Sequence, residues 1–249
     1  MIQIVYLQDE NQKFVPFDFD NVAELKKRNI KIGEGFFLWD KVSIGNNVQI
    51  SDNVLILSDT IIHENCVIGE DTIIGEKCII GRNTVIEEGA TLWLNNKIGS
   101  NCTIGKCAVI GYDTTIGNNC IIKEKVRIEY DVVIRNNVNI ATGVTILDNT
   151  TFASNCSIKE GATISFAVMI EEGVNIGINA TIGCNALIRS YATIGFNAIV
   201  CEDAEIGKWS VVEASATVGI NASIEKTTIL PLGSAIPVGY GNNSSVYEN

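Results

Sequence analysis

The chain contains a single histidine, His63, in the phrase Ile62-His63-Glu64-Asn65. Histidine is the side chain that most often serves as a general base, because it gains and loses a proton near neutral pH. A reaction that depends on a histidine base therefore has one candidate in this chain. The alternative is that His63 is an ordinary outward-facing residue.

A second group of polar residues surrounds the stretch Leu92-Trp93-Leu94-Asn95-Asn96-Lys97. A carboxylate or an amide can orient a nucleophile for its attack on a substrate. The carboxylates near this stretch belong to Glu87, Glu88 and Asp113. We treat His63, Asn96 and Asp113 as candidate catalytic residues, and Trp93, Asn95 and Tyr112 as candidate substrate contacts.

A six-residue repeat must position these candidates. From Ile32 to Ile236 an aliphatic or aromatic residue returns at every sixth position, 35 times in succession, and 28 of these residues are Ile. We number each repeat from this residue. A period of six fits neither an α-helix nor a plain hairpin meander, so it predicts a repeat architecture.

Each repeat predicts one short strand and one turn. The fifth position is small or β-branched almost throughout, and it points inward with the next first position because the two are two residues apart on an extended segment. The fourth position is Asn, Asp or Gly in 26 of the 35 repeats. These residues tolerate the left-handed backbone of a turn. Three repeats then close a triangular coil of 18 residues.

Asn96 is the one amide at the inward fifth position of the run. A buried amide must find hydrogen-bond partners, so we expect either that the coil bulges there or that Asn96 turns outward. Function concentrates at positions that break a local rule, which favours Asn96 as a site residue. The alternative is a tolerated irregularity.

Cysteine usage and charge limit the classes of partner. Five of the eight cysteines occupy the inward position as small apolar fillers, and no CxxC pair exists, so we expect no metal and a reducing cytoplasm. The net charge of −11 disfavours nucleic acid and anionic membranes. We also expect no signal peptide and no membrane span. The inward cysteines are Cys66, Cys78, Cys102, Cys120 and Cys156.

The repeat resembles the hexapeptide-repeat acyltransferase family, in its style closest to the sugar N-acyltransferases. The resemblance covers residues 32–241 and implies an all-β fold, a single-stranded left-handed parallel β-helix of about 11 to 12 coils. We expect residues 1–31 to form a strand and a helix, Asp20–Asn29 with Asp20 as N-cap, that cap the open end or recognise an acceptor. Residues 242–249 are a polar tail. A second β-helical lobe is the alternative to one prism.

The same resemblance implies a CoA-dependent acyltransferase, with acetyl-CoA or a longer acyl-CoA as co-substrate. The expected acceptor is small, the amine of a nucleotide-linked amino sugar, and His63 would be the base. In the lipid A branch of the family that histidine stands at the third position of a repeat, whereas His63 stands at the second. Family members hold the CoA phosphates with a basic residue of a later coil, which makes Arg189, Lys208 and Lys226 candidates. The alternative for each is a solvated surface charge.

An outward apolar stripe predicts self-association. Residues 18 apart stack on one face, and a stripe of this size is not expected to face water in a monomer. The family usually forms homotrimers, so the stripe is a candidate trimer seam, with a bound acyl chain as the alternative. The rival hypothesis for the whole chain is a non-catalytic β-helical scaffold, favoured by a register with no inserted loop. The stripe comprises Phe37, Trp39, Leu55, Leu57, Ile73, Trp93 and Val109, with Leu147 further along.

Overall fold

The computed structural model describes residues 5–8, 13–17 and 22–241. The chain divides into two compact units, Met1–Asn137 (unit 1) and Val138–Asn249 (unit 2). Both are built from the same six-residue element. None of the helices in the described ranges has the length and apolar character needed to cross a membrane.

Unit 1 begins with a hairpin of two strands and a short helix, followed by two-residue strands at intervals of six residues. The hairpin consists of β1 (Val5–Gln8) and β2 (Phe14–Phe17), and the helix α1 is Val22–Lys27. The strands β3 to β20 are Lys31–Ile32, Phe37–Leu38, Ser43–Ile44, Gln49–Ile50, Leu55–Ile56, Ile61–Ile62, Val67–Ile68, Ile73–Ile74, Ile79–Ile80, Val85–Ile86, Thr91–Leu92, Lys97–Ile98, Thr103–Ile104, Val109–Ile110, Thr115–Ile116, Ile121–Ile122, Arg127–Ile128 and Val133–Ile134.

Every third strand of unit 1 pairs in parallel, 18 residues further along the chain, as where Ile74 lies beside Leu92. Three parallel sheets result, and three consecutive strands make one coil. Sheet A runs β2-β1-β5-β8-β11-β14-β17-β20, sheet B runs β3-β6-β9-β12-β15-β18, and sheet C runs β4-β7-β10-β13-β16-β19.

Unit 2 repeats this arrangement with the strands β21 to β37. Its sheets run β23-β26-β29-β32-β35, β21-β24-β27-β30-β33-β36 and β22-β25-β28-β31-β34-β37. These strands are Asn139–Ile140, Thr145–Ile146, Thr151–Phe152, Ser157–Ile158, Thr163–Ile164, Met169–Ile170, Asn175–Ile176, Thr181–Ile182, Leu187–Ile188, Thr193–Ile194, Ile199–Val200, Glu205–Ile206, Val211–Val212, Thr217–Val218, Ser223–Ile224, Ile229–Leu230 and Ala235–Ile236.

The core of each unit is the column of first-position residues. From Leu38 to Ile236 every one of them is buried. Burying an aliphatic side chain of this size contributes about 1.5–3 kcal/mol, so the column is a major source of stability. The turns follow the expected chemistry, because every left-handed residue in the described ranges lies at a fourth position, as Asn47 does with φ 58°. The predicted all-β parallel β-solenoid of about 11 coils is confirmed.

The N-terminal hairpin extends sheet A. β1 pairs in parallel with β5, so that Leu7 lies beside Ile44 and is fully buried. The predicted N-terminal strand is present as β1, whereas the predicted helix is shorter than expected. It ends at Lys27, and Asn29 takes a left-handed φ of 52° that a continuing helix does not allow. Asp20 and the tail 242–249 lie outside the described residues, so the expectations for them stay predictions.

Candidate functional site

His63 lies in a lane of glycines on unit 1. It follows strand β8, and the second positions one coil before and one coil after it are Gly45 and Gly81. A Cβ at Gly45 would lie 2.5 Å from the backbone nitrogen of Glu64, and a Cβ at Gly81 would lie 2.5 Å from the carbonyl carbon of Gly99. Successive coils therefore approach too closely for any side chain at these glycines. The half-buried imidazole stands with no side chain on either side of it in the lane.

The N-terminal hairpin reaches this imidazole. Gln8 follows Leu7 and so aligns with Gly45, and Gln8 pairs with Phe14 across the hairpin. Because Gly45 has no side chain, the Phe14 ring can pack towards His63, at 6.3 Å between ring centroids and 58° between planes. The hairpin, whose second strand was not predicted, thus places an aromatic ring beside the candidate base.

Three buried side-chain polar atoms at or next to the His63 lane have no hydrogen-bond partner. They are Oδ1 of Asn46, Nδ1 of His63 and Oε2 of Glu64, and they are the only buried side-chain polar atoms in this state within the described residues. Asn46 and Glu64 occupy the third position of consecutive coils. An unpaired buried polar atom costs about 1–3 kcal/mol, so native proteins keep few of them without a reason.

One oxygen of the Glu64 carboxylate is held by an ion pair and the other has no hydrogen-bond partner. Its Oε1 accepts from Nε of Arg82 at 2.7 Å, whereas its Oε2 has no partner. A carboxylate oxygen, an amide oxygen and a ring nitrogen with a lone pair are all acceptors. The cluster of Asn46, His63 and Glu64 is therefore suited to a ligand rich in N–H or O–H donors, such as an amine. We call these three residues the acceptor cluster.

Asn96 departs from both expectations, because the coil does not bulge and its side chain does not turn outward. It is fully buried, and the strands on either side keep their register. Its Nδ2 donates to the Trp93 carbonyl at 2.9 Å, and its Oδ1 accepts from the Thr114 backbone nitrogen at 2.9 Å. The expectation was wrong because the turn leaves backbone groups facing inward, and these satisfy the amide.

The other residues predicted beside Asn96 fall into two sets. Trp93 and Tyr112 come together, with ring centroids 5.6 Å apart, and Tyr130 continues the column at 5.8 Å from Tyr112. Asn95 and Asp113 lie at left-handed turn positions with φ 61° and 57°. Asp113 suits this turn because Asp tolerates left-handed backbone angles. Its catalytic role stays a prediction.

The apolar stripe of unit 1 is continuous from Phe37 to Ile73, and Thr91 separates it from Val109. Phe37, Leu55 and Ile73 lie side by side on sheet C, and Phe37 is 66% exposed. Trp39 and Trp93 extend the exposed surface at the second positions of the same sheet. Leu147, the remaining member predicted for the stripe, belongs to unit 2.

The five inward cysteines are buried free thiols, which confirms that they pack as small apolar groups. Burial raises the pKa of Cys66, Cys78 and Cys156 to about 11. The thiolate is the reactive form, so these three thiols are inert near neutral pH. Cys107 is exposed at a turn.

The three predicted cations of unit 2 have different surroundings. Arg189 donates from Nε to Glu205 at 2.8 Å and from Nη1 to Glu171 at 3.1 Å, and these bonds raise its pKa. Lys208 lies 5.8 Å from the ring centroid of Tyr191. Lys226 is exposed. Arg189 is therefore committed to carboxylates, whereas the two lysines carry charge that a ligand can use.

Sequence reasoning missed the acceptor cluster and a stacked aromatic pair, Tyr191 and Trp209, whose rings lie 4.2 Å apart. Both were open to detection, since Asn46 and Glu64 are 18 residues apart, as are Tyr191 and Trp209. A scan of third and fourth positions at that interval would have paired them.

Comparisons with known proteins agree with the fold. The family model of the left-handed β-helix domain of the eIF2B epsilon subunit matches residues 34–140, less than half of the chain. Comparison with curated proteins finds no match.

Three solved structures illustrate the similarity. The UDP-N-acetylglucosamine acyltransferase LpxA of Bacteroides fragilis has 21% identity and a TM-score of 0.35, over 57% of this chain and 62% of that enzyme. The Arabidopsis UDP-N-acetylglucosamine acyltransferase has 18% identity and a TM-score of 0.36, over 72% and 69%. The LpxA of Moraxella catarrhalis has 15% identity and a TM-score of 0.43, over 77% and 71%. The six-residue period and the three parallel sheets show a parallel β-solenoid built from six-residue repeats, and the matched domain is a left-handed β-helix domain.

Proposed function

We propose that this protein is a CoA-dependent acyltransferase that acylates the amine of a small acceptor, a nucleotide-linked amino sugar. The observation that carries the proposal is the acceptor cluster, where Asn46, His63 and Glu64 present three unpartnered acceptor atoms. An ammonium or amine group carries the N–H donors that such a cluster lacks. The family resemblance supplies the acyl-CoA donor.

In the proposed reaction the acceptor nitrogen attacks the thioester carbonyl carbon, an N–C bond forms and the C–S bond breaks. His63 takes the proton that the nitrogen loses and passes it to the departing CoA sulfur, which leaves as a thiol. Glu64 Oε2 or Asn46 Oδ1 accepts from the one N–H that remains and so orients the nitrogen lone pair. Positioning and proton transfer of this kind are the usual contributions of enzyme side chains to acyl transfer.

The remaining predicted residues keep subsidiary roles in the proposal. Lys208 and Lys226 are the candidates for the CoA phosphates, and Trp93 and Tyr112 are candidate substrate contacts. We also propose a homotrimer whose seam is the apolar stripe of unit 1, since a stripe of exposed aromatic and aliphatic residues is an expected interface. A cytoplasmic location, where acyl-CoA is made and thiols stay reduced, belongs to the same proposal.

Thermal unfolding with acyl donors tests donor binding. Acetyl-CoA, longer acyl-CoAs and free CoA should each raise the melting temperature if they bind, because a ligand at 100 times its dissociation constant stabilises the native state by about 2.7 kcal/mol. The proposal fails at this step if none of the donors shifts the melting temperature at millimolar concentration.

Replacement of His63 by Ala tests the base. The rate of product formation from an acyl-CoA and an amino-sugar nucleotide, followed by mass spectrometry, should fall about 10²- to 10⁴-fold while the donor-induced thermal shift is retained. Gln49→Ala is the matched control, because Gln49 is an exposed residue on sheet B. An unchanged rate in His63→Ala would end the role of His63 as base.

A non-catalytic scaffold is the second candidate, and one observation favours it. Among the described residues from Lys31 to Ile236, the two-residue strands recur at intervals of six with no inserted loop that could close over a substrate. A scaffold predicts no thermal shift with any acyl-CoA, and self-association that is lost when Phe37 and Trp39 are changed to Ser. The thermal shift therefore separates the two candidates, whereas light scattering tests the self-association that both predict.

A further inference from the structure

Tyr191 and Trp209 form a stacked pair on the surface of unit 2. Their ring planes are 10° from parallel and their centroids are 4.2 Å apart. The indole of Trp209 is 55% exposed, although it is the larger of the two rings. Tyr191 in turn covers Gly173 one coil earlier, where a Cβ would lie 2.4 Å from the tyrosine ring. In the column Gly173, Tyr191 and Trp209, the Tyr191 ring therefore packs on the backbone of Gly173 and the Trp209 ring stacks on Tyr191.

Both rings occupy a backbone conformation that aromatic residues seldom adopt. Tyr191 has φ 61° and Trp209 has φ 63°, and they are the only aromatic residues with positive φ in the described ranges. Left-handed backbone is costly for each bulky residue, and the single ring stack offsets only part of the cost at two such positions. Asn fills most turn positions of this kind here, 15 of the 29 non-glycine ones. Stability alone therefore does not account for two aromatic residues at these turns.

One face of Trp209 is open. Tyr191 covers the face towards the preceding coil, so the other face looks towards Thr227, which holds the same turn position one coil later. Thr227 is short, and its hydroxyl turns back to its own chain, donating to the Lys226 carbonyl at 2.6 Å. A planar group can therefore lie over Thr227 against the indole, as Tyr191 lies over Gly173.

Two lysines lie on the coils of this column, and Lys208 stands beside the two stacked rings. Lys208 Nζ lies 5.8 Å and 5.9 Å from the ring centroids of Tyr191 and Trp209, and Lys226 precedes Thr227 on the next coil. Neither lysine forms an ion pair with another described residue, in contrast to Arg189, which is held by two carboxylates. In a chain of net charge −11, two unpaired cations beside an exposed ring favour an anionic ligand with a planar part.

We propose that Trp209, Lys208 and Lys226 bind a nucleotide, with its base stacked on the open indole face and its phosphates on the two lysines. Base stacking on aromatic side chains tolerates any base, because every base has a π face, and lysine recognises phosphate as a point charge. This inference deepens the proposed function by naming where the nucleotide part of a substrate is held. It rests on that proposal only for the choice of nucleotides to test.

Isothermal titration calorimetry on the full chain tests the site with two nucleotides and one uncharged probe. Adenosine 3′,5′-bisphosphate represents the nucleotide end of CoA, UDP represents a nucleotide sugar, and adenosine lacks phosphate. Trp209→Asn should weaken binding of the preferred nucleotide roughly tenfold or more, and Trp209→Tyr should retain most of it. Lys226→Gln should weaken the nucleotides and leave adenosine unchanged. Asn is the commonest residue at these turns, so the Trp209→Asn variant is expected to fold.

The matched control is Phe196→Ala, which removes an exposed aromatic ring elsewhere in unit 2 and should bind as the parent does. The inference is overturned if the parent binds neither nucleotide at millimolar concentration, or if Trp209→Asn and Phe196→Ala bind equally well. The fate of the proposed function is separate. If nucleotide binding depends on Trp209 but no acyl-CoA gives a product, the nucleotide site stands and the transferase is refuted. If product forms at the same rate in Trp209→Asn, the transferase stands and the nucleotide site is refuted.

Discussion

Nδ2 of Asn47 donates to Oδ1 of Asn65 at 3.0 Å, whereas Oδ1 of the adjacent Asn46 is buried and has no partner. Asn47 and Asn65 belong to a ladder in which each amide bonds to the amide 18 residues further on, at 3.0 to 3.3 Å. The side chain of Asn47 therefore stabilises the fold, whereas the unpartnered Oδ1 of its neighbour Asn46 destabilises it. The ladder is formed by Asn29, Asn47, Asn65, Asn83, Asn101, Asn119 and Asn137.

We predict that Asn46→Ala is neutral or stabilising by up to about 1 kcal/mol, because it removes an unsatisfied buried acceptor. Asn47→Ala should destabilise by about 1–2 kcal/mol, because it breaks two ladder bonds and places Ala at a left-handed φ of 58°. Urea unfolding of both variants measures the difference. If Asn46→Ala lost as much stability as Asn47→Ala, Asn46 would be structural and the acceptor cluster would lose a member.

Asn96→Ala is expected to destabilise the fold by about 2–4 kcal/mol. The Thr114 backbone N–H and the Trp93 carbonyl would each lose a buried partner, and a small cavity would remain. Asn96→Thr should lose less stability. Thr60 holds the same position two coils before Asn96, and its hydroxyl donates to the Gly75 carbonyl and accepts from the Cys78 backbone nitrogen. Thermal unfolding ranks the variants, and equal loss for Ala and Thr would argue against this hydrogen-bond account.

The six-residue period predicted the solenoid because each repeat satisfies itself locally, with Ile inward and Asn or Gly at the turn. Asn96 was misjudged because its partners are backbone groups of adjacent coils, and a residue pattern does not show where those groups point. The wall formed by Phe14 beside His63 could not be predicted either, since the hairpin lies outside the repeat and has no period to align it. Residues that obey the repeat are predictable, whereas those that meet across coils or across the hairpin are not.

Gly81→Ala is predicted to destabilise unit 1 by about 2–3 kcal/mol. The added Cβ would lie 2.5 Å from the carbonyl carbon and 2.6 Å from the carbonyl oxygen of Gly99, which belong to a strand-bound backbone that cannot move aside cheaply. Gly241→Ala is the control, since a Cβ there meets nothing within 4 Å. Urea midpoints compare the two variants. A neutral Gly81→Ala would show that the glycine lane tolerates side chains and that His63 is not set apart by it.

Alkaline pH should destabilise the fold through the buried thiols. Burial raises the pKa of Cys66, Cys78 and Cys156 from 9.0 to about 11, so between these values the unfolded chain releases protons that the native chain retains. The free energy of unfolding therefore falls as pH rises from 9 to 11, by up to about 1.4 kcal/mol per pH unit for each thiol. Unfolding of the parent and of the triple Cys→Ala variant at pH 8 and pH 10.5 measures this. The variant starts less stable but should lose less between the two pH values, and an equal loss in both proteins would assign the alkaline effect to other groups.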